Sequence, residues 1–191
     1  MSNYNFINET GTAQNAVTDN ILFHPKGWLP GEDLPSKLKG IKNPIGIEIG
    51  TDQGTTTEYL LRSIPDLTLY GVDDYTENRT ENVQNLTYEI YMSKVKPYAD
   101  RFTHHRKISD DAVNEFKDES VDFVFVDGDH RYFQVLKDCQ NYYSKVKKGG
   151  IFCGHDWNLP EVNRAVVEFA LSIGKVNDIE VMKQDVWYWT K

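Results

Sequence analysis

Two short stretches of the sequence place acids beside a histidine directly after an apolar run. In VDFVFVDGDHRYF the run ends in Asp127, Asp129 and His130, and in GGIFCGHDW it ends in His155 and Asp156. Charged groups at the end of a buried strand are costly unless they are paired, hydrated or bound to something. Carboxylates and imidazoles can hold a divalent cation, and a histidine near neutral pH can also accept a proton. Metal binding with proton transfer is one interpretation of these residues, and capping of the helices that follow is the other.

A third stretch, IGIEIGTDQGTTT, carries two glycines in the turn between a predicted strand and a predicted helix. Gly50 and Gly54 permit a tight turn and a close approach of the backbone to a ligand. The dinucleotide-binding fingerprint has a third glycine, which this loop lacks. After the next strand, Asp73 is placed to bind the two hydroxyls of a ribose. An ordinary turn and a solvated acid are the alternatives.

Strands that alternate with helices position these three stretches. The predicted strands occupy residues 45–50, 67–74, 101–108, 121–127 and 149–157, and residues 179–191 supply two more. This alternation predicts an α/β fold with a doubly wound, largely parallel sheet. Ligands bind such sheets outside the carboxyl ends of the strands. Because the acids and histidines stand at those ends, we expect them to meet on one rim of the sheet.

The helices carry their own start and stop signals. Thr55 and Glu58 have the spacing of a capping box, and Pro160 opens a later helix that Gly174 closes. Asp138, on the helix after the fourth strand, is interpreted as a surface or helix-packing residue.

Length, charge and cysteine content limit the class of protein. A chain of 191 residues is long enough for one well-buried domain, which we place at 41–191, with 1–40 as an N-terminal extension or lid. The net charge of −8 argues against the basic surface that nucleic acids or anionic membranes require. The N-terminal residues lack the features of a signal peptide, so we expect a cytoplasmic protein in which Cys139 and Cys153 are buried thiols.

The pattern E-x-G-x-x-x-G, followed by an acid that closes the second strand, resembles the class I S-adenosylmethionine-dependent methyltransferases. The resemblance implies a Rossmann-like sheet of seven strands, mostly parallel, with an antiparallel C-terminal strand. It also implies S-adenosylmethionine as the cofactor. The residues that would contact the cofactor are Glu48, Gly50, Thr51, Gly54, Asp73, Asp74, Ser109 and Asp127.

The two acid–histidine stretches resemble the metal-dependent O-methyltransferases, of the catechol, macrolide-sugar and rhamnosyl types. This resemblance implies that Asp127, His155 and Asp156 hold a divalent cation, Mg²⁺ first and Mn²⁺ as the alternative because His155 offers nitrogen. His130 would be the catalytic base, with Asp127 as its catalytic partner. The expected reaction is methyl transfer to a hydroxyl of a sugar or another small polar acceptor. The oligomeric state is left open, with a homodimer as one option.

Three other functions are compatible with parts of the sequence. Tyr143-x-x-x-Lys147 has the spacing used by short-chain dehydrogenases, which would make the protein an NAD(P)-dependent oxidoreductase. Asp127-x-Asp129 is a pattern found in metal-dependent phosphohydrolases, although those families place it after their first strand. A module that binds the cofactor without catalysis is the third alternative.

Overall fold

A mixed sheet forms the centre of the molecule. The computed structural model describes residues 29–76 and 80–191, and among these residues seven strands lie in the order β3-β2-β1-β4-β5-β7-β6. The strands are β1 Ile45–Ile49, β2 Thr68–Val72, β3 Phe102–His105, β4 Val121–Val126, β5 Val146–Gly154, β6 Glu180–Met182 and β7 Val186–Thr190. Strands β1 to β5 are parallel, and β7 runs antiparallel to both β5 and β6. The predicted Rossmann-like fold is confirmed.

Helices cover both faces of the sheet. They are α1 Leu34–Lys37, α2 Thr55–Ser63, α3 Glu81–Val95, α4 Ser109–Ala112, α5 Tyr132–Tyr142 and α6 Pro160–Ser172. Side chains of β4 alternate between two apolar clusters: Phe123 and Phe125 pack with α1, α2 and α3, whereas Val124 and Val126 pack with α4, α5 and α6. Every residue of β4 is buried, as expected for a central strand covered on both sides.

The register of the parallel strands sets the rim on which the site lies. Ile49 of β1 pairs with Val72 of β2 and with Val126 of β4, and Val126 pairs with Gly154 of β5. The residues that directly follow the ends of these four strands are therefore at the same level of the sheet. Those residues are Gly50, Asp73, Asp127 and His155. The sheet order also reverses at β1, which has β2 on one side and β4 on the other, and this is where ligands bind in folds of this kind.

The part of the N-terminal segment that the structure describes packs on the domain. Leu34 and Leu38 are buried in the apolar cluster beneath α2. Thr56, in the first turn of α2, donates a hydrogen bond to the carbonyl oxygen of Pro30 at 3.2 Å. The division into an extension and a domain stays a prediction, and its residues 1–28 lie outside the described part of the chain.

The capping box predicted at the start of α2 is wrong. The residue before the helix is Gly54, in the left-handed conformation at φ 76°, and no side chain caps the helix. Thr55 is already helical, because the glycine makes the turn that a capping threonine would otherwise begin. The helix from Pro160 is confirmed, and Gly174 follows it with φ 74°.

The prediction that both cysteines are buried thiols is confirmed. Cys139 and Cys153 are free and buried. Within the described residues, no helix is long and apolar enough to cross a membrane.

Asp138 of α5 lies in the interior and not at the surface. It is 1% exposed and accepts hydrogen bonds from Ser109 Oγ at 2.6 Å and from Gln134 Nε2 at 3.2 Å. Its interpretation as a helix-packing residue is confirmed and the surface alternative is wrong, because α4 packs against this part of α5.

Asp138 should make folding stability depend on pH. Burial raises the pKa of this carboxyl from its ordinary 3.8 to about 6. Between these values the folded protein holds a proton that the unfolded chain has released. The contribution to stability is therefore fully present below about pH 4 and is lost as the pH rises through about 6, a change on the order of 3 kcal/mol.

Asp138→Asn, which cannot ionise, tests this prediction by urea unfolding of both proteins near pH 5 and near pH 8. We expect the stability of the variant relative to the wild-type protein to rise between these two pH values. A difference that is equal at both pH values would contradict the assignment.

Candidate active site

Gly50 brings the end of β1 against the backbone of β4. Its φ is +81°, its N–H donates to Val72 O at 2.8 Å, and Asp127 N–H donates to Ile49 O at 2.8 Å. A Cβ at Gly50 would overlap the carbonyl oxygen of Asp127. The glycine is therefore required both by its conformation and by the close approach of the two strands.

The Asp73 carboxylate braces the glycine loop. Its Oδ2 accepts the N–H groups of Thr51 at 2.8 Å and Asp52 at 3.0 Å, and its Oδ1 accepts Tyr75 N–H at 2.8 Å. Burial raises the pKa of Asp73, while these three backbone bonds act in the opposite direction. The acid that was predicted to bind a ribose also fixes the loop beside which the ribose would lie.

Tyr75 turns inward from the rim. It has a positive φ of 61°, its ring is 3% exposed, and its hydroxyl lies 2.8 Å from Thr51 Oγ1. Tyr75 therefore supports the glycine loop. Asp74, also predicted to contact the cofactor, accepts hydrogen bonds from the backbone N–H and the hydroxyl of Thr76.

Glu48 is a buried acid beneath the same loop. Thr57 of α2 donates its hydroxyl to Glu48 Oε2 at 2.6 Å. Burial raises the pKa of Glu48 to about 8, and the charges of Asp127 and Asp73 act in the same direction. Three acids therefore lie around the turn from β1 to α2, and a positively charged ligand at this place would favour loss of the proton from Glu48.

The residues that follow β4 and β5 meet in one cluster. His130 Nε2 lies 2.9 Å from Asp156 Oδ2 and 3.8 Å from Asp127 Oδ1. His155 Nδ1 lies 3.2 Å from Asp127 Oδ1 and 3.4 Å from Asp156 Oδ2. Ligand atoms of Asp127, His130 and Asp156 all lie within 4.8 Å of one another. The structure thus brings together all four residues that the sequence assigned to metal binding and proton transfer.

The carboxyl groups and imidazoles of this cluster shift one another's pKa. Asp127 and Asp156, through hydrogen bonding and charge, raise the pKa of His130 to about 10. Burial lowers the pKa of His155, but the same two carboxylates outweigh it and raise that pKa to about 10. Burial alone would raise the pKa of Asp156, yet the two imidazoles hold it well below its usual value. Each imidazole is therefore held in its protonated form by the carboxyl groups beside it.

Helix capping does not account for these residues. The residues that precede α5 and α6 are Arg131 and Leu159, and neither caps its helix with its side chain. The first N–H of α5, on Tyr132, donates to Glu161 Oε2 at 3.0 Å. Asp129 alone has a local structural role: its Oδ1 accepts Arg131 N–H at 2.8 Å, and its carboxylate pairs with the Arg131 guanidinium. Asp129 therefore forms the turn before α5. The side chains of Asp127, His130, His155 and Asp156 instead contact one another.

The remaining candidates lie away from this cluster. Ser109 begins α4 and donates its hydroxyl to Asp138 of α5. Lys147 lies near the amino end of β5 and contacts Asp122 at 2.9 Å. The glycine loop lies at the carboxyl ends of the strands, on the other side of the sheet's length. Tyr143 packs among aromatic rings that include Phe152. The Tyr–Lys spacing of a dehydrogenase therefore has no counterpart at the rim.

The sequence matches a family model described as a methyltransferase domain over residues 47–157. The chain belongs to this methyltransferase family. The matched region holds the glycine loop, Asp73 and both acid–histidine stretches, so the resemblance to class I S-adenosylmethionine-dependent methyltransferases is confirmed.

Among known sequences, an uncharacterised protein of Acanthamoeba polyphaga mimivirus is 28% identical over 136 residues. The match includes 64% of this chain and 59% of the relative, so the chain spans less than two thirds of that protein.

Solved structures show the same fold. Cofactor-bound Rv0187 from MTB has a TM-score of 0.63 at 15% identity, over 92% of this chain and 86% of that one. A putative caffeoyl-CoA O-methyltransferase from Staphylococcus aureus has a TM-score of 0.61 at 12% identity, over 92% and 88% of the two chains. The O-methyltransferase NovP has a TM-score of 0.60 at 16% identity, over 82% and 76%. At these identities the likeness establishes the methyltransferase fold alone.

Gly50→Ala should destabilise this methyltransferase through the contact between β1 and β4. Gly149 is a matched control, because its φ of +80° is almost the same as that of Gly50 and a Cβ there would meet open space. We expect Gly149→Ala to cost about 1 kcal/mol, the price of a left-handed alanine. Gly50→Ala should cost at least about 2 kcal/mol more, because the strands must separate.

Urea unfolding of the two variants measures both costs, and isothermal titration with S-adenosylhomocysteine should show weaker binding for Gly50→Ala only. Equal costs in the two variants would mean that the approach of Gly50 to Asp127 does not limit the packing.

Proposed function

We propose that this protein transfers the methyl group of S-adenosylmethionine to a hydroxyl of a sugar or another small polar acceptor, with the assistance of a divalent cation. The observation that carries the proposal is the cluster of Asp127, His130, His155 and Asp156, level with the glycine loop at the switch point of the sheet. Family membership supports the cofactor, and the cluster supports the reaction class.

The cofactor lies, in this proposal, across the carboxyl ends of β1 and β2. Gly50, Thr51 and Gly54 line its methionine part, where the positive charge of the sulfonium would favour the ionised form of the buried Glu48. Asp73 receives the ribose hydroxyls: Oδ1 accepts one backbone bond in the structure, so it can accept another. Asp74 and Ser109 follow the ends of β2 and β3 and would lie nearer the adenine.

The donor set fits a divalent cation. Asp127 and Asp156 offer two carboxylates from neighbouring strands, and His155 directs Nδ1 to both of them. Within the described residues, Asp127, His130 and Asp156 also satisfy the spacing of a metal site. Oxygen ligands suit Mg²⁺ and an added imidazole suits Mn²⁺, so both ions are candidates. When bound, the cation would lower the pKa of an adjacent hydroxyl and balance the charge of the two carboxylates.

His130 is the proposed base. Its side chain is 45% exposed, in contrast to the buried His155, so it can reach an acceptor from the open side of the cluster. If a bound cation balanced the charges of Asp127 and Asp156, these carboxylates would no longer hold the His130 imidazole in its protonated form. Nε2 can then accept the hydroxyl proton as the acceptor oxygen attacks the sulfonium methyl group, a step for which positioning is the main requirement.

A phosphohydrolase is less well supported by the same geometry. Its pattern requires Asp127 and Asp129 to act together, but the Asp129 carboxylate pairs with Arg131 in the turn before α5. An oxidoreductase loses its support with the placement of Tyr143 and Lys147 away from the rim.

Asp156→Asn tests the role of the cation, with Asp129→Asn as the matched control. Both changes remove one carboxylate charge beside His130, but only Asp156 belongs to the cluster. We expect Asp156→Asn to lose chelator-sensitive methyl transfer by roughly 100-fold or more, since metal assistance supplies several kcal/mol. Asp129→Asn should keep both the activity and Mn²⁺ binding.

The measurements are methyl transfer from labelled S-adenosylmethionine to a panel of sugars and phenols with and without chelator, and titration with Mn²⁺ and with S-adenosylhomocysteine. Asp156→Asn should still bind S-adenosylhomocysteine. Activity that persists in chelator would remove the cation from the mechanism, and absence of S-adenosylhomocysteine binding in the wild-type protein would overturn the proposed function.

A further inference from the structure

Helix α5 directs three polar side chains at one residue, Ser109. The Ser109 hydroxyl donates to Asp138 Oδ1 at 2.6 Å, and Gln134 Nε2 donates to Ser109 Oγ at 3.2 Å. Tyr142 donates its hydroxyl to the Ser109 carbonyl oxygen at 2.7 Å. A residue needed only to start the short helix α4 would not require contacts of this number and type.

The buried carboxylate fixes the direction of the Ser109 hydroxyl. Asp138 is 1% exposed and, when ionised, can only accept hydrogen bonds, so the proton of Ser109 must point toward it. The serine oxygen has two acceptor positions, and Gln134 uses one of them. Among the described residues, Gln134 is the one side chain that donates to Ser109 Oγ, and Ser109 is partly exposed, so its other acceptor position can accept from a group outside the protein interior.

Ser109 lies where the base of a bound nucleoside would end. It follows β3, the neighbour of β2, and the end of β2 carries Asp73, the proposed ribose ligand. Through Asp138 it also contacts α5, the helix that follows β4. A nucleoside whose ribose is held at Asp73 would extend its base toward this junction of α4 and α5. This step rests on the proposed function.

We propose that Asp138 and Gln134 position the Ser109 hydroxyl as a hydrogen-bond acceptor for the exocyclic amino group of adenine. Ser109 thereby selects a base that donates at this position over one that carries a carbonyl there. Asp138 does not touch the cofactor: it acts through Ser109 and is a positioning residue.

A base with a carbonyl group would meet the wrong partner. Its oxygen would face the free acceptor position of Ser109, and both groups could only accept. Turning the serine hydroxyl toward the ligand would leave the buried Asp138 carboxylate without its bond from Ser109. A site built to pair with one polar group rejects its mismatched analogue for this reason.

The probes are S-adenosylhomocysteine and S-inosylhomocysteine, which differ only in the amino or carbonyl group of the base and the proton on its ring. Isothermal titration near pH 8, where Asp138 is ionised, gives the ratio of the two dissociation constants. We expect the wild-type protein to prefer the adenine compound by about tenfold or more, the loss from one mismatched buried hydrogen bond. In Ser109→Ala and Asp138→Asn the ratio should fall toward one.

The ratio separates positioning from a general loss of structure, because a loosened fold weakens both compounds alike. In Asp138→Asn the amide N–H can donate to Ser109, which releases the serine proton to point outward. The matched control is Asp110→Asn, which removes a neighbouring acid that contacts Lys137 at 2.7 Å. It should leave the ratio unchanged.

Each outcome decides the matter. A wild-type ratio that is retained in both Ser109→Ala and Asp138→Asn would overturn the inference while the proposed function stands. An equal fall in Asp110→Asn would assign the preference to local charge and not to the direction of Ser109. If the wild-type protein bound neither compound, the proposed function would fail together with this inference.

Discussion

The close approach of β1 to β4 at Gly50 is the constraint on which the rest of the site depends. Because Gly50 has no side chain, the backbone of Asp127 can lie directly against it and donate to Ile49. The register of the parallel strands places the ends of β1, β2, β4 and β5 at one level of the sheet, and this contact holds the start of the glycine loop against the end of β4. The glycine loop, the proposed ribose acid and the acid–histidine cluster are neighbours for that reason.

Charge is distributed unevenly along this rim. Around the glycine loop, backbone N–H groups satisfy Asp73 and the Thr57 hydroxyl satisfies Glu48, and within the described residues neither acid forms an ion pair with a cationic side chain. Between β4 and β5, by contrast, each carboxylate faces imidazoles. The first arrangement suits a ligand that brings its own positive charge, and the second suits a cation that replaces protons. A sulfonium cofactor and a divalent ion match these two needs.

The sequence allowed the fold and most of the site to be predicted, because both depend on patterns that are local along the chain. An apolar run that ends in an acid gives a strand and its rim residue together, which is why Asp73, Asp127 and Asp156 were found. The errors arose where the contacts of a residue depend on a special backbone conformation or on a partner far away in the sequence. Gly54 in the left-handed region displaced the cap predicted at Thr55.

Distant partners also explain what was missed at other positions. The burial of Asp138 depends on Ser109, which lies 29 residues earlier in the sequence. The role of Asp129 depends on the neighbouring guanidinium of Arg131, and spacing alone could not separate it from the metal-type acids. The hydroxyl of Thr57 on Glu48 could have been anticipated, since helix α2 begins with three threonines directly after the loop.

The β6–β7 hairpin has a consequence for how the enzyme is made. Trp187 donates its indole N–H to the carbonyl oxygen of His155, 32 residues earlier, and Trp157 N–H donates to Asp185 O. The loop that carries His155 and Asp156 is thus held by residues that the ribosome adds later. Strands β1 to β5 can pair as they emerge, but the acid–histidine loop gains these anchors only after β7 has been synthesised. The acid–histidine loop should therefore be completed late in biosynthesis, after β1 to β5 have been synthesised.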